Sequence, residues 1–178
     1  DYPLDPQTGK PLNTAPWPDM EPIFVYGDSL VSVTAILVNH GPVYPAFAFR
    51  FDTPDGSVVF SGDTGYPCTN LIRLAQDADV LVHEVIDPGF IDNLFPQPIP
   101  DQYKPLKFHL ESAHTMINDV GKHATEANVK TLVLNHIVPG NTPKARLMEA
   151  GRNFSGRMMI GSDLMRIGVG RASRRISG

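Results

Sequence analysis

Cysteine is almost missing from this sequence of 178 residues: Cys68 stands alone, so no disulfide can close within the chain. An excess of positive charge is missing as well. Fifteen Lys and Arg face 19 Asp and Glu, a balance of −4 with neutral histidines, which argues against a general basic footprint for nucleic acid and against a polyanionic tail. No apolar run approaches the roughly 18 residues of a membrane span, so the chain reads as soluble and without a membrane partner. It opens at Asp1 with no basic-then-apolar leader, so nothing in it sets the compartment. What is present is 42% hydrophobic residues, enough for the core of one globular domain, with no internal repeat or low-complexity tract.

Prolines 3, 6, 11, 16, 18 and 22 crowd residues 1–22, each removing a donor and fixing φ, which predicts an extended arm or linker. From Val31 the pattern changes. VSVTAILV alternates with period two and predicts a strand ending at Asn39-His40. AFAFRFD (46–52) and SVVFS (57–61) around Thr53-Pro54-Asp55-Gly56 predict a hairpin, and Gly62-Asp63-Thr64-Gly65 breaks its second strand. A short helix over 70–77, a buried strand at Val80-Leu81-Val82, a helix over about 111–127 and a strand at TLVL (131–134) follow. Then come a helix over about 143–151 and strands at 157–160 and 164–169, so the fold class is α/β (α+β). Between Asp87 and Pro105 five prolines with Phe90, Ile91, Leu94 and Phe95 predict a long irregular stretch, a lid-like insert over 87–110. Residues 23–170 form the body, and the arginine-rich end, with its basic tail 171–178, reads as a solvated surface.

Three candidate metal ligands share one situation, the C-terminal end of an apolar strand: His40 after AILVN, Asp63 after VVFSG and His136 after TLVLN. Loops leaving such ends build the site in α/β folds, and two imidazoles with a carboxylate suit zinc or a similar divalent metal. Gly62 and Gly65 let the backbone turn sharply around Asp63 and approach a ligand. Each signal alone also fits a solvated histidine or an ordinary turn aspartate. Among the other histidines, His83 and His123 carry no functional signal and only His109, in the long insert, lies near a substrate; Cys68 reads as a small buried hydrophobe.

In their order, these segments resemble the metallo-β-lactamase superfamily, and within it the branch that holds ribonuclease Z and arylsulfatase-like hydrolases. HGPVYPAFAFRF resembles the family's third histidine segment, SGDTG its bridging-aspartate turn, LVHE the strand that follows and LVLNHIVP the last metal histidine. SAHTMINDVGKHATEANVKTLVLNH resembles the helix behind the catalytic histidine. The resemblance spans about Val31 to Val169 and implies a four-layer αββα sandwich, of which this chain is the C-terminal portion. It further implies two divalent metal ions, zinc first with manganese or iron as alternatives. His40 would bind one and His136 the other, with Asp63 bridging them and His114 acting as general acid oriented by Glu84.

The family's H-x-H-x-D-H string is absent, so His40, Asp63 and His136 alone cannot complete two sites that need about three or four donors each. The expectation is a C-terminal part of a longer enzyme, inactive alone, whose other donors come from an N-terminal segment or from a second copy in a homodimer. A variant that lost its first half, a metal-free module, is the rival. The 23 positions from His40 to Asp63 leave no room for a basic RNA-gripping arm, and the net charge is acidic. With the apolar insert as a wall, these features predict a small-molecule ester substrate, arylsulfatase-like, phosphate or carboxylic. Ribonuclease Z-like cleavage of RNA is the alternative.

Overall fold

The computed structural model describes residues 17–170. Seven strands form one sheet in chain order: β1 (Ile23–Gly27), β2 (Ser32–Leu37), β3 (Phe47–Asp52), β4 (Ser57–Phe60), β5 (Val80–Ile86), β6 (Thr131–Val138) and β7 (Arg157–Ile160). The first four pair antiparallel and the last four parallel. Strands β2, β4, β5 and β6 therefore all point the same way, and their C-terminal ends meet along one edge of the sheet. Helix α1 (Thr69–Ala75) links β4 to β5. Three helices lie between β5 and β6: α2 (Pro88–Leu94), α3 (Lys104–Ala113) and α4 (Ile117–Glu126). The short α5 (Lys144–Leu147) precedes β7.

Period-two alternation gives the sheet two unlike faces. Ile36, Ala48, Val59, Leu81, Leu132 and Leu134 point to one side, where Leu71, Leu74 and Ala75 of α1 and Val120 and Ala124 of α4 bury them in one cluster. Each fully buried Leu or Ile there contributes roughly 1.5–3 kcal/mol. Arg50 of β3 reaches across this side to close α1: its Nη1 donates to the carbonyls of Leu74 (3.0 Å) and Gln76 (2.8 Å), acceptors the helix end leaves unmet. The other side carries Phe49 beside Phe60, Phe51 beside Val58, and Val80, Val82 and Val133. It is open. Phe60 is 43% exposed, and a groove of about 620 Å³ lies over Val58, Phe60, Val80, Val82 and Val133, lined also by Met165, Ile167 and Val169.

Several expectations need correction. Strand β1 was not predicted, and 164–169, predicted as a strand, is irregular and lines the open groove. The insert is mostly helical, because Pro88 and Pro105 sit in the first turns of α2 and α3, where a missing N–H costs nothing. Ile91 and Phe95 anchor it on Ile86 with Leu110 and Val138 in a second small core. The single helix expected over 111–127 is two, α3 and α4, broken at His114. Residues 1–16 of the proline-rich arm and the basic tail 171–178 lie outside the described residues.

Candidate functional site

At the edge where β2, β4, β5 and β6 end, five predicted site residues come together. Asp63, in the turn after β4, is the centre: its Oδ2 lies 4.0 Å from His40 Nε2 and 3.5 Å from His136 Nε2. His40 is held by its other nitrogen, since Nδ1 is 2.9 Å from the Ala113 carbonyl. A carbonyl only accepts, so Nδ1 carries the proton and Nε2 presents its lone pair toward Asp63. That is the tautomer a metal requires, fixed by an outer partner as in metal-ligating histidines.

His136 does not follow its strand, as expected, but lies inside β6. Between His83↔Leu134 and Val85↔Ile137 the register slips: two steps on β5 oppose three on β6. The extra residue makes a bulge, and His136 sits in it at φ +39°, a left-handed conformation unusual outside glycine. The bulge turns the imidazole to the sheet edge, where its side chain is 53% exposed beside Asp63 at 36%. Gly62 and Gly65 are required by close approach, though not to a ligand. A Cβ on Gly62 would lie 2.4 Å from the Phe47 carbonyl, and one on Gly65 would lie 2.2 Å from that of Ser112.

His114 lies between the two histidines, its ring 5.1 Å from that of His40 and 6.3 Å from that of His136. Behind it is Glu84, whose side chain is 1% exposed and whose Oε1 is 3.4 Å from His114 Nδ1. The same Oε1 accepts from the backbone N–H of Thr115 (2.8 Å) and of Thr64 (3.2 Å). The α3–α4 break follows from this: the Thr115 N–H goes to Glu84 instead of a helical carbonyl. The carboxylate raises the His114 pKa above its usual 6.5, against the opposing pull of burial. Glu84 Oε2, His114 Nδ1 and His109 Nδ1 are buried with no aligned hydrogen-bond partner among the described residues.

His109, expected in a loop, is on α3 four residues before Ala113. Its ring is 5.6 Å from that of His40, and burial, then His40 and His114, lower its pKa. Ligand atoms of His40, His109 and His114 lie within 4.8 Å of one another, a second way in which nitrogens converge here. Had α3 been read from the sequence, the i, i+4 relation of His109 to Ala113 would have placed it on the site's side. The backbone donors of Thr64 and Thr115 carry no sequence signal at all. Cys68 is buried, as expected.

These donors fit a divalent transition metal: two imidazole nitrogens on one carboxylate oxygen, one with its tautomer fixed from behind. No family model matches the sequence. Among curated proteins, the chain is 34% identical over 143 residues to ribonuclease Z of Mycobacterium tuberculosis strain H37Rv, covering 78% of this chain and 49% of that one. It is 34% identical over 165 residues to ribonuclease Z of Mycolicibacterium gilvum, covering 89% and 54%. The chain thus spans about half the length of these relatives. Among solved structures it resembles the metallo-β-lactamase fold protein YhfI of Bacillus subtilis (TM-score 0.56, 23% identity, 78% of this chain and 49% of that one). It also resembles the short form of human tRNase Z (TM-score 0.56, 18% identity, 83% and 46%).

The relatives overturn the small-ester and arylsulfatase-like expectation, and with it the expectation against a nucleic-acid partner, and they favour the ribonuclease Z-like alternative. The net charge of −4 counts only this chain, which spans about half of each of these relatives, and so does not describe an RNA-binding surface. The fold expectation stands, with one helical layer on one sheet here and metallo-β-lactamase neighbours covering most of the chain. The chain is a metallo-β-lactamase superfamily member related to ribonuclease Z.

Proposed function

We propose that this chain carries one half of the active site of an RNA phosphodiesterase of ribonuclease Z type. The observation that supports this most is the convergence of His40 and His136 on one oxygen of Asp63, with His114 and Glu84 beside them, in a chain 34% identical to ribonuclease Z. His40 would hold one divalent metal, zinc by the chemistry of the donors, and His136 a second, with Asp63 between them. The remaining donors come from outside these 178 residues. Such a pair supplies an activated water and charge stabilisation for the attacking and leaving oxygens of a displacement.

The chain's own residues account for the proton. Glu84, fixed by two backbone N–H groups, keeps His114 protonated to higher pH than an ordinary imidazole. A protonated His114 donates to the oxygen that leaves phosphorus, which is what a general acid must do. Half-exposed His136 leaves the site open on one side, where an RNA backbone can reach it.

The test uses a polypeptide of the relatives' length that contains this chain, loaded with zinc and given a transfer RNA with a 3′ extension. Endonucleolytic release of the extension is expected. Its absence, with turnover of aryl esters in the same preparation, would overturn the reading.

A further inference from the structure

Two histidines have no part in that chemistry. His83 of β5 and His123 of α4 are fully buried and stacked, their ring centroids 5.1 Å apart. Every ring nitrogen has a partner. The Cys68 N–H donates to His123 Nε2 (3.1 Å), His123 Nδ1 meets His83 Nε2 (2.9 Å), and His83 Nδ1 meets the Glu84 carbonyl (2.7 Å).

The protons in this chain of bonds have one consistent arrangement. A backbone N–H can only donate, so His123 Nε2 is bare and its proton is on Nδ1. That proton points at His83 Nε2, which must accept, so the His83 proton is on Nδ1 and goes to the carbonyl. Both rings are neutral Nδ1–H tautomers, and an added proton on His123 Nε2 would face the Cys68 N–H. Burial agrees, lowering His83 and pushing His123 down to about 2. The Tyr66 ring, whose hydroxyl donates to Glu126, packs edge-on at 4.8 Å and closes the His123 side.

The bonds join three segments that carry the site. Cys68 ends the loop that begins at Asp63, His83 precedes Glu84 at the register slip, and His123 is on the helix that starts just after His114. Glu84 is held at three points: its N–H donates to Ser61 Oγ (3.2 Å), its carbonyl accepts from His83, and its Oε1 takes the Thr64 and Thr115 N–H groups.

We infer that His83 and His123 are positioning residues: a one-way relay of hydrogen bonds from the Cys68 N–H through both imidazoles to the Glu84 carbonyl sets the Glu84 carboxylate against His114. That Glu84 and His114 act on substrate rests on the function proposed above. The placement itself does not, and it is read without RNA or metal.

The experiment is nuclear magnetic resonance on the 178-residue chain, wild type, His123→Leu and His123→Gln. In the wild type, imidazole nitrogen-15 shifts should show protonated Nδ1 and bare Nε2 on both rings from pH 5 to 8. His123→Leu breaks the relay, and the Thr64 and Thr115 amides, which report the Glu84 carboxylate, should exchange with solvent about tenfold faster or more. Amides of Leu81 and Leu132 in the sheet core should hold. Gln can accept from Cys68 and donate to His83, so His123→Gln should restore protection. An Nε2–H form of either ring, unchanged Thr64 and Thr115 exchange in His123→Leu, or an equal loss at Leu81 and Leu132, would overturn the inference. If His123→Leu does not fold, the wild-type nitrogen pattern and the protection in His123→Gln decide it.

Discussion

The two groups of histidines in this molecule differ in what their ring nitrogens have left to do. His83 and His123 spend all four on one another, a carbonyl and a backbone N–H, and they are sealed from solvent. Around Asp63, His40 commits one nitrogen to the Ala113 carbonyl and keeps the other toward the carboxylate, and His136 stands half exposed. Burial and satisfaction suit a histidine to a structural role; a fixed tautomer with a spare lone pair at a strand edge is what a metal ligand needs.

The largest effect that could break this contrast is at its centre. In a metal-loaded polypeptide of the relatives' length that contains this chain, Asp63→Ala should lose both metals together by elemental analysis, whereas Cys68→Ala should lose none. Next is His114→Ala, expected to keep the metals and to lower kcat for RNA cleavage by roughly 10²–10⁴, the span of a general acid. Loss of metal in that variant would move His114 among the ligands.

Acid sharpens the contrast from the buried side. His83 and His123 have pKa values below 6.5 in the fold, so the unfolded chain binds protons that the native one refuses. Stability is then full above about pH 6.5 and falls as pH drops toward about 2, where His123 titrates. The slope approaches about 1.4 kcal/mol per pH unit for His123 over that window, and His83 adds to it in the same direction. Urea unfolding of the metal-free chain at a series of pH values measures it. His114 has the opposite sign, its contribution being present at low pH and lost as pH rises through its raised value. The smallest effect is at Cys68 itself: alanine keeps the N–H that His123 needs, so Cys68→Ala should cost only about 1 kcal/mol of packing and leave the nitrogen-15 pattern unchanged.

Much of this was legible in the sequence. Alternation and β-branched residues marked β2 to β4, and the order His40, Asp63, His114, His136 carried the family. Strand β1 was hidden because prolines dominate its neighbourhood and a bulge between Phe24 and Tyr26 interrupts its alternation. The insert misled because a proline breaks a helix in its interior but starts one in its first turn. Three things were out of reach. The His83–His123 pair joins residues 40 positions apart, the His136 bulge is a property of pairing with β5, and Glu84 is held by backbone donors that any residue would supply. The small-ester expectation rested on the missing basic arm between His40 and Asp63, the apolar insert and a net charge that reports on solubility and association more than on a site.

The most direct test is anomalous scattering at the zinc edge from crystals, grown with zinc, of a polypeptide of the relatives' length that contains this chain. Peaks are predicted on both sides of the Asp63 carboxylate, one at His40 Nε2 and one at His136 Nε2, with none at His83 or His123. A metal held elsewhere, with Asp63 bare, would contradict the account.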